Sequence, residues 1–253
     1  MALFFGGSVA VPYRRRTRRQ NVPVTSIIAV AGLEHVAIAG DSLWVNGMGN
    51  QIYGRSKVVQ CGSRIGGLAG FTESGTCNFV DKLDESLRIA ETLRDVIYEF
   101  RERAESDAQR ALLNLRALSG AEIEEFVFNI LIAELGEDGV SGISASMTVD
   151  GLRCEVGQER WVASSARSTC YIAGVGHSVE NFAEPLRTLL EEDGLLAAVG
   201  NCTIPTLVGA GEHETTAKSL VQRVIENEAE VPRPDWWKSG VPLVVGPITV
   251  VSF

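Results

Sequence analysis

The chain has 253 residues, and its 45% apolar content suffices for one large core or two small ones. A formal charge of −9 speaks against a nucleic-acid partner, and no apolar run approaches the length that spans a bilayer. The charge is uneven, because Arg14, Arg15, Arg16, Arg18 and Arg19 all fall in an acid-free leader, residues 1–24. The leader's apolar stretch precedes its arginines and is too short for a secretory signal, so residues 1–24 read as an extension or propeptide.

The first convincing hairpin begins at Thr25. Thr25 to Ala31 and His35 to Asp41 are alternating or continuous apolar runs around a Gly32-Leu33-Glu34 turn. With that turn centred on Leu33, Thr25 lies across from Asp41, where facing Cβ atoms are about 5 Å apart. A second hairpin follows, with Lys57 to Cys61 turning at Gly62-Ser63 into Arg64 to Gly70, so that Lys57 faces Leu68 and lies near Gly70. A hydroxyl, a carboxylate, an ammonium and a glycine amide can thus converge at one end of the strands. Together they can attack a peptide bond.

Beyond Gly70 the period lengthens. Val80, Leu83, Leu87, Ala90, Leu93, Ile97 and Phe100 mark one face of a single long helix, preceded by capping residues at Thr72–Gly75. A second helix is expected over Ser106–Leu118, stopped by Gly120. Strands return at Phe126–Ala133 and Gly142–Val149, the first turning through Gly136-Glu137-Asp138-Gly139 and the second at Asp150-Gly151. The polar stretch Arg153–Ser168 has no clear assignment. Tyr171–Ala173 reads as a short strand. Two further helices carry Val179, Phe182, Leu186 and Leu189, then Ala217, Leu220, Val221, Val224 and Ile225. Pro247–Phe253 closes the chain as a buried-type strand. Helices do not alternate with single strands, which disfavours a doubly wound parallel sheet.

Other features carry less chemistry. Cys61, Cys77, Cys154, Cys170 and Cys202 are scattered with no C-x-x-C pair, as expected of reduced thiols in a cytoplasmic protein. His35, His177 and His213 lack metal-ligand spacing and are expected at the surface or in caps. Trp236-Trp237 reads as packing or an interface. Gly209-Ala210-Gly211 lacks the continuation of a phosphate loop.

Val36-Ala37-Ile38-Ala39-Gly40-Asp41 and Gly67-Leu68-Ala69-Gly70 resemble the proteasome β-type subunit family, and more narrowly its simpler bacterial relative, the ATP-dependent ring peptidase. The likeness covers Thr25 to Phe182. The resemblance implies an α+β fold, a four-layer αββα sandwich of two antiparallel sheets with flanking helices, over residues 25–253. It also implies an N-terminal-nucleophile hydrolase without a cofactor. Thr25, once freed from Val24, would be the nucleophile and its own α-amino group the base. Lys57 would hold Thr25 electrostatically, Asp41 would orient Lys57, and the Gly70 amide would bind the oxyanion. Trp44, Arg55, Val59, Leu68 and Thr72 would line the pocket for the residue before the scissile bond. The implied partners are a peptide or unfolded protein substrate, further copies in a homo-oligomeric ring, and an ATPase or other ring cap. The chain departs from the family at Val24, where glycine is usual, at Val175, where a serine is usual, and near Gly246 and Pro247, where an aspartate is usual. A non-catalytic assembly subunit and a non-proteolytic amidase or ligase on the same fold are the competing readings.

Overall fold

Strands alternate with helices in blocks along the chain. In the computed structural model the described residues are 26–32, 34–42, 44–45, 51–52, 56–70, 73–74, 77–119, 126–150, 154–162, 169–176, 196–198, 201–205, 210–227 and 247–253. In chain order the elements are β1 (Ser26–Ala31), β2 (Val36–Asp41), β3 (Trp44–Val45), β4 (Gln51–Ile52), β5 (Val58–Cys61), β6 (Arg64–Ala69), β7 (Glu73–Ser74) and β8 (Cys77–Asn78). Then come α1 (Phe79–Ile89), α2 (Leu93–Ser119), β9 (Phe126–Gly136), β10 (Gly139–Val149), β11 (Cys154–Val162) and β12 (Thr169–Gly176). The chain closes with β13 (Leu196–Ala198), β14 (Asn201–Pro205), α3 (Ala210–Asn227) and β15 (Ile248–Ser252).

The strands form two large antiparallel sheets, ordered β13-β14-β12-β1-β2-β15 and β11-β10-β9-β6-β5, while β3-β4 and β7-β8 are small separate hairpins. The period of two decides what each face meets. Along β9, Phe128, Ile130 and Ile132 pack with Leu83, Leu87, Ile97 and Phe100 of α1 and α2, whereas Leu131 and Ala133 pack with Ile27, Ala29 and Ile38 of the other sheet. Phe128 anchors the helix side, with ring centroids 5.0 Å from Phe79 and 6.0 Å from Phe100. Helix α3 covers the outer face of β1, β2 and β15. The layers therefore run helix, sheet, sheet, helix, as the resemblance implies. Covered on both faces, β1 after Ser26 and β2 before Asp41 need no polar residue, which explains their unbroken apolar runs.

At Gly67 the two sheets approach closely. A Cβ added there would lie 2.5 Å from Cγ2 of Ile27, and 3.3 Å from Cγ1 of Val58. The Ile27 methyl sits on a stiff, fully buried β-branched side chain that has nowhere to go. Gly67→Ala is therefore expected to cost about 1–3 kcal/mol through overpacking, read as a lower urea midpoint. The same change at Gly66, whose nearest contact would be 3.1 Å, is expected to cost less.

Several expectations need correction. The long helix is two helices: α1 ends at Ile89 and α2 begins at Leu93. Thr92 and Asp95 make the break, because the Asp95 carboxylate accepts from Thr92 N–H at 3.1 Å and Thr92 Oγ1 accepts from Asp95 N–H at 3.2 Å, a reciprocal cap. The apolar stripe runs through it because both helices rest on the same sheet. No break falls near Ser106, and α2 is continuous to Ser119. The cap of α1 is Asn78, whose side chain accepts from Val80 N–H at 3.0 Å, and not a residue of Thr72–Gly75. Arg64 closes the other end of α1, donating to the carbonyls of Leu87 at 3.2 Å and Glu91 at 2.7 Å while pairing with Glu134 at 2.8 Å.

The unassigned polar stretch contains β11, whose nine residues pair along β10 from Val149↔Cys154 to Ser141↔Val162. Tyr171–Ala173 is the middle of the longer β12, and β15 is a half-buried edge strand. His213 is 1% exposed rather than at the surface, with its ring 5.8 Å from that of His35. Cys61 is a free thiol. The helix expected around Val179–Leu189, His177 and Trp236-Trp237 lie outside the described residues.

Candidate active site

The end of β2 and the start of β5 bring two opposite charges together inside the molecule. Asp41 is the last residue of β2, paired with Ile248 of β15, and Lys57 immediately precedes β5. Lys57 Nζ donates to Asp41 Oδ2 at 2.9 Å, and both side chains are 0% exposed. The predicted register of β5 and β6 holds: Val58 faces Gly67, Cys61 faces Arg64, and the Leu68 N–H donates to the Lys57 carbonyl at 3.0 Å.

Burial pulls the Lys57 pKa below its ordinary 10.5, and the Asp41 charge and hydrogen bond partly offset this. An exposed pair of this kind would be of little consequence. A fully buried one carries a desolvation penalty that its own attraction need not repay, so it is weak evidence for stability and better evidence for a charge needed at that place.

Gly70 follows β6 at the same end and has φ +107°, a backbone conformation that side chains rarely adopt. In an antiparallel ladder, N–H groups two residues apart point the same way. Since the Leu68 N–H points toward Lys57, the Gly70 N–H lies on that side as well. Gly70 and Lys57 thus share one end of the β5–β6 pair.

Two further polar side chains sit at this end. Ser42, directly after Asp41, is 2% exposed, and its Oγ has no hydrogen-bond partner among the described residues. Asn129 of β9 lies level with Ala69, is 7% exposed and accepts from Ser146 Oγ at 2.8 Å, while its Nδ2 has no partner among the described residues. Sequence reasoning passed over both. A serine after a strand carboxylate is a visible signal, whereas a strand asparagine is not.

The first hairpin needs a shift of one residue. Ala31 faces Val36 and Ile27 faces Gly40, with Gly32 N–H donating to the His35 carbonyl at 2.7 Å, so the turn closes between Gly32 and His35. Carried one step on, this register sets Ser26, and not Thr25, level with Asp41. Thr25 itself lies outside the described residues, as do Arg55 and Thr72. Trp44 is placed in β3, facing Ile52 of β4. Val59 is half-buried against the helix-side core, and Leu68 is wholly buried in it beside Phe79 and Leu83. On the far flank of β1, Val175 faces Ile27. Among the described residues no group of three or more histidines, cysteines or acids could hold a metal. No described helix is long and apolar enough to cross a membrane.

No protein-family model and no curated protein matches the chain. Among solved structures it is similar to the eukaryotic HslV of Trypanosoma brucei, at 14% identity and a TM-score of 0.39 over 90% of this chain and 98% of that one. It is also similar to Thiobacillus denitrificans BPH, solved in complex with epoxomicin, at 13% identity and a TM-score of 0.46 over 90% and 97%. A third likeness is to an Anbu mutant from Hyphomicrobium sp. strain MC1, at 17% identity and a TM-score of 0.42 over 90% and 81%. The fold stands on the sheet order and layering above.

Proposed function

We propose that this chain is a threonine-type peptidase subunit of a proteasome-like ring, cleaving peptide bonds with Thr25 after residues 1–24 are removed. The observation that carries the reading is the buried Asp41–Lys57 pair beside Gly70, at the sheet end where β1 begins. In this mechanism the Thr25 Oγ attacks the scissile carbonyl carbon as the freed α-amino group takes the hydroxyl proton. Lys57 lowers the cost of the developing alkoxide, and Asp41 fixes Lys57. The negative oxygen of the tetrahedral intermediate accepts from the Gly70 N–H, a bond of roughly 3 kcal/mol in such sites. Collapse breaks the C–N bond, and the ammonium returns its proton to the leaving amine. Water then cleaves the acyl ester by the same steps in reverse roles.

Trp44, Arg55, Val59, Leu68 and Thr72 are assigned to the pocket for the preceding side chain. Trp44 is bulky, so this pocket is expected to be shallow and to suit small or medium apolar residues. A fluorogenic-peptide panel on the full-length protein tests this. Hydrolysis favouring alanine, valine or leucine at that position is expected. Preference for large aromatics would contradict the pocket, and hydrolysis of none would contradict the activity. Ring assembly in the cytoplasm, with an ATPase or other cap as partner, belongs to the same reading. Light scattering behind size exclusion is expected to give a multiple of the 27.2 kDa chain, whereas a strict monomer would remove the ring.

A further inference from the structure

One face of β10 is polar where a sandwich interior is usually apolar. Ile143, Ala145, Met147 and Val149 pack into the helix-side core, while Val140 belongs to the core between the sheets. Alternation therefore puts Gly142, Ser144, Ser146 and Thr148 on the inner face with Val140. Ser146 is exposed there, so solvent reaches this part of the inner face. Asn129 of β9 stands beside it, level with both Ser146 and Ala69, the residue before Gly70. Ser146 Oγ donates to Asn129 Oδ1 at 2.8 Å, which fixes the amide. Asn129 is only 7% exposed, yet its Nδ2 has no partner among the described residues, although buried amides are nearly always satisfied.

We infer that Asn129 and Ser146 form a subsite for a carboxamide side chain, glutamine or asparagine, on the leaving side of the substrate, an inference that rests on the proposed peptidase reading. The donors and acceptors select that group. Asn129 Nδ2 offers an N–H, and Ser146 Oγ, its own proton given to Asn129, offers lone pairs. A carboxamide meets both, its oxygen accepting from Nδ2 and its N–H donating to Oγ. A carboxylate has no proton for Oγ, and Glu155 and Glu159 of β11, level with Thr148 and Ser144, disfavour it further. An apolar side chain leaves both groups unpaired. The position suits the leaving side. Val59 and Leu68, assigned to the pocket for the preceding residue, lie on the helix-side face of β5–β6, and Asn129 lies on the other face of that sheet. It is two strands in from β5, about 10 Å at ordinary strand spacing, which about three residues of extended peptide span. The subsite therefore takes the second or third residue after the scissile bond.

The test compares the full-length protein with Asn129→Leu and Ser146→Ala, using internally quenched peptides that differ only at that second or third residue. Glutamine, glutamate, lysine and leucine are compared at each place. The wild type is expected to cleave a glutamine peptide with kcat/KM about tenfold above the leucine peptide, with glutamate and lysine nearer leucine. In Asn129→Leu this preference is expected to vanish through a raised KM at unchanged kcat, while leucine-peptide hydrolysis and leader removal stay as in the wild type. Ser146 is exposed, so Ser146→Ala is expected to leave the fold intact and to lose about threefold on the glutamine peptide alone. Hydrolysis by the wild type without a glutamine preference would overturn the inference while leaving the peptidase reading intact. A preference undiminished in either variant would overturn it too, as would equal losses on all four peptides, which mark a general structural effect. A wild type that cleaves no peptide would overturn the peptidase reading and this inference with it.

Discussion

Replacing Lys57 by methionine is expected to abolish peptide hydrolysis and to destabilise the fold by about 3–5 kcal/mol, the usual result of removing one member of a buried ion pair. Asp41 is 0% exposed, and Lys57→Met leaves its charge inside the protein without the cation it faces at 2.9 Å. The double variant Asp41→Leu/Lys57→Met separates structure from chemistry. Apolar replacements of similar size remove both charges together, so most of the lost stability is expected to return in urea denaturation. None of the hydrolysis is expected to return with it. Near-normal turnover in Lys57→Met would remove this pair from the active site.

Thr25→Ala is expected to block both leader removal and hydrolysis, the latter by roughly 10⁴-fold or more, as removal of a nucleophile does in other hydrolases. Thr25 supplies the hydroxyl in both steps and, once freed, the base in the second. Thr25→Ser keeps a hydroxyl and is expected to keep part of each activity. Undiminished hydrolysis in the alanine variant, measured with the same fluorogenic peptides, would point to Ser26 or another nucleophile.

The parts of the fold legible in the sequence are those fixed by short-range chemistry. Gly62-Ser63 leaves the second hairpin only one tight register, and that register carried Lys57 to Leu68 and set Gly70 at the strand end. The first hairpin was harder because its glycine fits either a three-residue turn or the start of a two-residue loop. Only the Gly32–His35 bond decides between them. That choice moves the residue across from Asp41 by one position.

Other features depend on tertiary context. The helix stripe from Val80 to Phe100 records a shared sheet surface and not helix continuity, while the Thr92–Asp95 cap that breaks it was present in the sequence as a T-x-x-D signal. Strand β11 lacks an apolar alternation and owes its form to pairing along β10. His213 reads as an exposed helix polar residue until α3 is laid on the sheet beside His35. That the Ser42 hydroxyl has no partner among the described residues is a fact of packing, and no pattern of residue types announces it.

The intact mass of the full-length protein, taken after purification and again after incubation, tests the central claim most directly. The account predicts a species beginning at Thr25, shorter by residues 1–24, that appears together with peptide hydrolysis and is absent from Thr25→Ala. A stable, uncut 253-residue chain with no hydrolysis would contradict it and favour a subunit that keeps the fold for assembly alone.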